Sequence, residues 1–341
     1  MKIGIVGYQG SGKSTLFQWL TGVAPDPAHA HQVQTAMAPV PEPRLQQLAE
    51  IYRPKKVTQA ALEIADTPGL SRNHEGSAAR LAMIREAGCL VVVVAAHDGS
   101  DAVADLRNFE DDLLIADLDI VAGRIERLRE QVKKPRPDRD QLRKDLEALE
   151  PLQEVLESGR TLREVELSSD QRRAIRSFQL FSEKPRLVVV NAADDDPEPE
   201  RWERSLPSEA PVAAVPLALQ LELAELEPEQ RDAFCREMGV RPYDRGRLLR
   251  RIMDVSGQML FLTVGPKEVR AWMVRRGATA VEAAAAIHTD LARGFIRAEV
   301  MHCDDLIRLG SEREVKARNL LRREHKDYVI QDGEVILIHH S

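Results

Sequence analysis

Residues 7–14 read Gly-Tyr-Gln-Gly-Ser-Gly-Lys-Ser, directly after the apolar run Lys2-Ile3-Gly4-Ile5-Val6. The pattern GxxxxGK[ST] is complete, and a strand before it and a helix after it are the context that gives it meaning. Lys13 to Leu20 supplies that helix, with Leu16, Phe17 and Leu20 on one face. Glycines at 7, 10 and 12 free the backbone for positive φ, so successive N–H groups, Ser11 among them, can turn toward one anion. The helix N-terminus adds about half a positive charge. Lys13 then reaches the β- and γ-phosphates, the Ser14 hydroxyl ligates Mg²⁺, and Thr15 helps hold the α-phosphate. A strand feeding a phosphate loop and a helix restricts the chain to an α/β fold with a mostly parallel sheet.

Further strands fit that frame. Leu62 and Ile64 lie in one that ends at Asp66; Leu90–Ala95 and Arg186–Val190 are almost wholly apolar, as expected of strands covered on both faces. Helices are expected at about 82–88 and 102–116. Between the strands at 95 and 186, Val121, Ile125, Leu128 and Val132, then Leu142, Leu146, Leu149 and Leu156, keep a helical rhythm among charged residues. Lys133-Lys134-Pro135-Arg136-Pro137 interrupts it. The expectation is an antiparallel helical hairpin inserted in the G domain. Residues 191–212, rich in Asp, Glu and Pro, read as loop. Past residue 256, Met259–Val264, a helix over Ala280–Leu291, Phe295–Val300 and a hairpin from Tyr328–Ile330 to Val335–Ile338 suggest a small α+β domain. The expected division is therefore 1–117 with 178–256 (G domain), 118–177 (hairpin) and 257–341.

Asp66-Thr67-Pro68-Gly69 supplies the second half of a nucleotide switch. Asp66 is placed to hold a metal-bound water and the Gly69 N–H to meet the γ-phosphate. Thr35, in an expected loop, is a candidate second hydroxyl for magnesium. This DxxG spacing favours the GTPase class over P-loop kinases. Asn191 and Asp194, after the last apolar strand, stand where a base-reading motif belongs.

These motifs together with the C-terminal stretches resemble the YchF/Obg-like ATPase family. The stretches are Gly265-Pro-Lys-Glu-Val-Arg-Ala-Trp272, Ile287-His-Thr-Asp290, Gly294-Phe-Ile-Arg-Ala-Glu-Val300 and Lys326-Asp-Tyr-Val-Ile-Gln-Asp-Gly333. Ala38–Leu45 and Leu114–Leu118 are similar as well. The resemblance implies a C-terminal TGS domain of ubiquitin-like β-grasp form, a coiled-coil arm within the G domain, ribosome association, and binding or hydrolysis of GTP or ATP.

Four positions depart from the ordinary GTPase pattern. Gly10 replaces the family's Asn, which can help hold a monovalent cation. Leu70 stands where many GTPases carry a water-orienting glutamine, as it does in the family, so unaided hydrolysis is expected to be slow. Ala192 replaces the Lys of the N-K-x-D pattern, and Pro216-Leu217-Ala218 replaces the usual Ser-Ala-Lys. Asp194 tilts base choice slightly toward guanine. His74 and His97 are conceivable helpers of hydrolysis, although a solvated or satisfied imidazole is the simpler reading of each.

The net charge of −7 argues against binding nucleic acid by the whole surface, so RNA contacts must be local. Candidates are Lys133, Lys134 and Arg136 at the hairpin tip, and Lys267, Arg270, Arg275 and Arg276 beside Trp272. No DNA sequence specificity is expected. No apolar run approaches the roughly 20 residues that span a bilayer. Cys89, Cys235 and Cys303 lack CxxC spacing and Met1 leads straight into a strand, so a cytoplasmic chain without a secretory leader is expected. The sequence thus points to a magnesium-dependent NTPase acting as a switch at ribosomes. Its rival is an adaptor that nucleotide merely stabilises.

Overall fold

The computed structural model describes residues 1–73 and 77–341. In chain order the strands are β1 (Lys2–Val6), β2 (Gln34–Pro39), β3 (Lys56–Thr58), β4 (Ala61–Asp66), β5 (Cys89–Ala96), β6 (Arg186–Ala192), β7 (Val212–Val215), β8 (Gln258–Thr263), β9 (Glu268–Arg275), β10 (Phe295–His302), β11 (Arg322–Glu324) and β12 (Glu334–His340). They form two sheets, ordered β2-β4-β1-β5-β6-β7 and β11-β10-β12-β8-β9-β3. The chain divides into two compact units, 1–36 with 64–243, and 37–63 with 244–341.

In the first sheet β1, β5, β6 and β7 run parallel. Every residue of β6, and all of β5 but Ala96, is buried, which is why these strands read as unbroken apolar runs. One face carries Val6, Val92, Val94, Val188 and Val190 against Leu106, Phe109 and Leu113. Those three residues belong to one helix, Ala102–Val132, capped by Asp101 accepting from the N–H groups of Val103 and Ala104. The helix does not stop near 117 as the sequence suggested. It continues for 31 residues, and its far half turns Val121, Ile125 and Leu128 against Leu142, Leu149, Leu152 and Leu156 of helix Arg139–Glu157. Hairpin and G domain therefore share a single rod.

Asp117 sits where the rod passes from one core to the other, and it is fully buried. Its carboxylate accepts from Phe181 N (3.0 Å) and Ser182 N (2.7 Å), where the chain returns from the hairpin. It also pairs with Arg85 at 2.9 Å. Arg85 ends helix Ser77–Arg85 and lies 4.0 Å over the Phe181 ring. A buried carboxylate with these partners holds helix, returning loop and the preceding helix together, and removing its charge strands Arg85.

The second sheet lies wholly in the second unit. Its first and last C-terminal strands, β8 and β12, are parallel neighbours (Val335 opposite Leu262), and β10 and β9 flank them antiparallel. Helix Ala280–Ile287 packs Ala280 and Ala283 onto Phe261, Ala298 and Val300. Two expectations change here. The first concerns Tyr328–Ile330, which forms no strand with β12. Its backbone instead meets the start of the helix, through Ala280 N to Tyr328 O (2.8 Å) and Ile330 N to Ala278 O (3.0 Å). The second concerns residues 37–63, expected in the G domain. β3 joins β9 in parallel, Thr58 Oγ1 donates to Glu268 Oε1 (2.5 Å), and Tyr52 OH donates to Glu312 (2.6 Å). Helix Arg245–Val255 also belongs to this unit, where Arg250 donates to Pro41 O (3.2 Å).

Replacing Asp117 by Ala leaves the N–H groups of Phe181 and Ser182 without their acceptor and Arg85 with only the carbonyls of Phe178 and Gln179. We expect a loss of about 3–5 kcal/mol in urea unfolding. A loss below about 1 kcal/mol would show that the joint is held by packing alone.

Candidate functional site

The loop 7–12 folds as a cradle because its glycines occupy conformations closed to other residues. Gly7 has φ 143° and Gly12 φ 100°, and a Cβ on either would lie 2.4 Å from Val93 O or Asn191 Nδ2 respectively. Tyr8 anchors the loop: its hydroxyl donates to Asp112 Oδ2 (2.8 Å), its ring meets Phe109 edge-on, and Arg72 lies over it. The Asp112 carboxylate and burial together hold the phenol well above its usual range, burial being the larger cause. Sequence reasoning missed this anchor, since Tyr8 occupies a variable position of the motif.

Lys13 is buried at 7% exposure, and its ammonium donates to a neutral acceptor, Tyr8 O, at 2.7 Å. Burial pushes its pKa down to about 8; Asp66 opposes the shift, while Arg72 and Arg80 add to it. Arg80, on helix Ser77–Arg85, has a buried Nη1 with no hydrogen-bond partner among the described residues. The arrangement concentrates positive charge on a concave surface, the condition that favours an incoming anion.

Ser14 Oγ donates to Asp66 Oδ2 at 2.7 Å. The other oxygen, Oδ1, is buried and unpaired, and burial raises the carboxyl against the opposing pull of Ser14 and Lys13. An orphan carboxylate oxygen beside a hydroxyl fits the oxygen-ligand chemistry of magnesium. Among the described residues no group of three or more His, Cys, Asp or Glu could hold a metal by itself. These donors therefore suit an ion that arrives with phosphates rather than one caged by protein. Thr35 lies on β2, not in a loop; it is exposed and makes no hydrogen bond to Ser14 or Asp66 among the described residues. Thr15 is half-buried in the first turn of helix Lys13–Thr21, and Gly10 is exposed at the loop's crest.

The DTPG segment is clipped to the cradle by backbone pairing, Gln9 N to Leu70 O (3.0 Å) and Leu70 N to Gly7 O (3.1 Å). Gly69 is thereby pressed against the loop; a Cβ there would lie 2.6 Å from Lys13 Nζ and 2.9 Å from Gln9 N. Leu70 is 1% exposed and packs with Tyr8 and Ile84, turned into the core. Asn191 acts as a brace. Its Nδ2 donates to Ser11 O (3.2 Å) and its Oδ1 accepts from Leu217 N (3.1 Å), while Asp194 Oδ1 accepts from Leu219 N (3.0 Å). His97 Nε2 stands 3.1 Å from Asn191 Nδ2, and His74 lies outside the described residues.

The basic groups expected to meet RNA are largely engaged. Lys133 pairs with Glu130 and Arg136 with Asp138 at the hairpin tip. Arg275 pairs with Glu282, Arg276 with Asp254, and Trp272 stacks on Phe261 and donates to Thr263 Oγ1 (2.9 Å).

Comparison with known proteins agrees with this geometry. Residues 259–341 match the model of the YchF-GTPase C-terminal family, described as "Protein of unknown function (DUF933)", and residues 2–122 match one described as "50S ribosome-binding GTPase". The chain is 35% identical to "Ribosome-binding ATPase YchF" of Haemophilus ducreyi, covering 98% of both chains. It is 33% identical to "Obg-like ATPase 1" of Oryza sativa subsp. japonica, covering 98% of this chain and 91% of that one. The solved Schizosaccharomyces pombe YchF GTPase superposes with a TM-score of 0.84 at 25% identity, covering 99% of this chain and 97% of that one. A cradle with a buried lysine, a Ser14–Asp66 pair, a leucine in place of glutamine and full-length similarity at this level make the chain a member of the YchF family.

Proposed function

We propose that this chain is a magnesium-dependent purine nucleoside triphosphatase that turns over slowly and works as a switch at ribosomes in the cytoplasm. The observation that carries the reading is the Lys13 ammonium, buried in a glycine cradle with, among the described residues, only a neutral carbonyl as hydrogen-bond acceptor. Relatives across the full length are named ribosome-binding ATPases, which supports both the reaction and the partner.

In this reading the amides of Gly10 to Ser14 and the Lys13 ammonium bind the phosphates and neutralise charge that develops on the γ-phosphoryl group. Ser14 and Asp66 would hold magnesium, which supplies Lewis-acid polarisation of the phosphate oxygens when bound. Thr35 would have to move to join them. The Gly69 N–H faces the γ-phosphate, and water is the nucleophile. Leu70, turned into the core, offers that water nothing, so turnover is slow without help. Asn191 and Asp194 border the base site. Both are partly engaged in holding residues 217–219, so discrimination is weak, with a slight lean to GTP. The buried Leu70 also favours the rival reading, an adaptor with negligible turnover.

Phosphate release with and without ribosomes separates the two. A switch releases phosphate at least about 100-fold faster than its Lys13→Ala variant in one of the two conditions; equal rates in both favour the adaptor. Gly69→Ala should weaken triphosphate affinity by about 100-fold, because its Cβ displaces Lys13 Nζ, and should also lower the unfolding temperature, because it presses on the Gln9 backbone; unchanged affinity would mean that Gly69 is not pressed on the site. The free Lys13 ammonium loses its proton near pH 8, so binding above that pH must take up a proton. Affinity should fall about tenfold per unit from pH 8 to 9.5, and a flat profile would show that the lysine does not meet the anion.

A further inference from the structure

A second positively charged hollow lies in the helical hairpin, lined by none of the residues of the phosphate site. Helices Ala102–Val132, Arg139–Glu157 and Ser169–Ile175, with the turn after the last, border a shallow, solvent-open hollow of about 710 Å³. Arg124 and Arg127 stand on one face of the long helix, one turn apart, and Arg173 faces in from the third helix. Leu149, Ala174 and Phe178 supply an apolar wall. Gln141, Asp145 and Ser177 complete the lining, and Asp145 is its only acid.

The state of these arginines distinguishes them from the rest of the surface. Arg124 is half-buried, and among the described residues neither it nor Arg127 has a carboxylate within ion-pair distance. Arg127 instead spends its Nε on the Gly123 carbonyl (2.9 Å). Arg173 pairs with Asp170 at 2.9 Å, but both are about half exposed, so the pair is weak and yields readily to a stronger anion. Asp145 already accepts from Gln141 (2.7 Å). Lys133 and Arg136 at the tip, and Arg129 along the hairpin, likewise form exposed pairs with acids of the same hairpin, but they line no hollow. In a chain of net charge −7, three guanidinium groups beside one hollow, two of them without an ion-pair partner among the described residues, invite an external anion.

Guanidinium forks match phosphate oxygens two at a time. Inorganic polyphosphate would use the forks and leave the apolar wall wet; a nucleotide chain uses both, since its bases stack on aromatic faces. We propose that this hollow binds a single-stranded RNA segment, with backbone phosphates on Arg124, Arg127 and Arg173 and a base against Phe178. The proposal rests on the ribosome association proposed above and names where RNA would be gripped: the flank of the hairpin, not its tip.

The test uses the full-length chain, a fluorescein-labelled single-stranded RNA 12-mer read by anisotropy, and co-sedimentation with ribosomes. The combined variant R124E/R127E/R173E should weaken the 12-mer at least tenfold and lower the slope of log affinity against log salt by about 2, from three phosphates at ~0.7 each. Asp145→Asn should tighten it two- to fivefold, a gain that damage to the fold cannot mimic. Phosphate release without ribosomes should stay unchanged in both. Equal RNA affinity and salt slope in wild type and the triple variant overturn the proposal, as does a wild type that binds no RNA. So does loss of ribosome binding with RNA binding intact, which would mark a protein contact. If the wild type binds the 12-mer through these arginines but does not co-sediment, the hollow stands and the ribosome reading falls.

Discussion

A buried ammonium with no carboxylate in hydrogen-bond contact is the constraint around which the G domain is arranged. Taking Lys13 out of water is costly, and the resulting fall of its pKa toward 8 expresses that cost. The surroundings do little to relieve it. Tyr8 offers only a carbonyl, Asp66 is turned to Ser14, and Arg72 and Arg80 add like charge. Relief comes when a polyanion enters, and the fold keeps the entrance shaped for one. Gly7 and Gly12 hold conformations that no other residue tolerates there, Asn191 props the loop at Ser11, and Leu70 pins it from the side. Uncompensated charge in the free protein becomes binding energy for the triphosphate.

The same framework ties the switch segment to the hairpin. Arg85 ends the helix that follows the DTPG loop, and its partner Asp117 lies on the long helix that becomes the hairpin's first arm. Asp117 also holds the returning Phe181–Ser182 backbone, so helix Ser77–Arg85, the long helix and the returning loop meet at one carboxylate.

The glycine loop of the phosphate cradle was legible in the sequence because its chemistry is local, eight consecutive residues between a strand and a helix, whereas its Tyr8 anchor was not, because Asp112 lies 104 residues away. Asp66 and Gly69 were legible by their order after it. Thr35 was misread as loop because β2 is a half-exposed strand whose residues give no strong alternation. The continuity of the long helix through 117 was not legible, because Asp117 is a polar residue at a buried position whose backbone partners lie 64 and 65 residues away. β3 could not be placed from three residues, Lys-Val-Thr, whose pairing with β9 depends on a partner more than 200 positions distant. Counting charges shows where arginines and lysines are, but not that Glu130 and Asp138 sit beside Lys133 and Arg136 while, among the described residues, Arg124 and Arg127 have no ion-pair partner. Local chemistry is written in the order of residues, whereas satisfaction of charge is a property of the folded chain.

The most direct measurement is a crystal structure of the chain with magnesium and a non-hydrolysable GTP analogue. The account predicts that Lys13 Nζ leaves the Tyr8 carbonyl for a phosphate oxygen while Gly7, Gly12 and Gly69 keep their present backbone. An analogue bound elsewhere, or a lysine still resting on Tyr8 beneath an occupied loop, would contradict it.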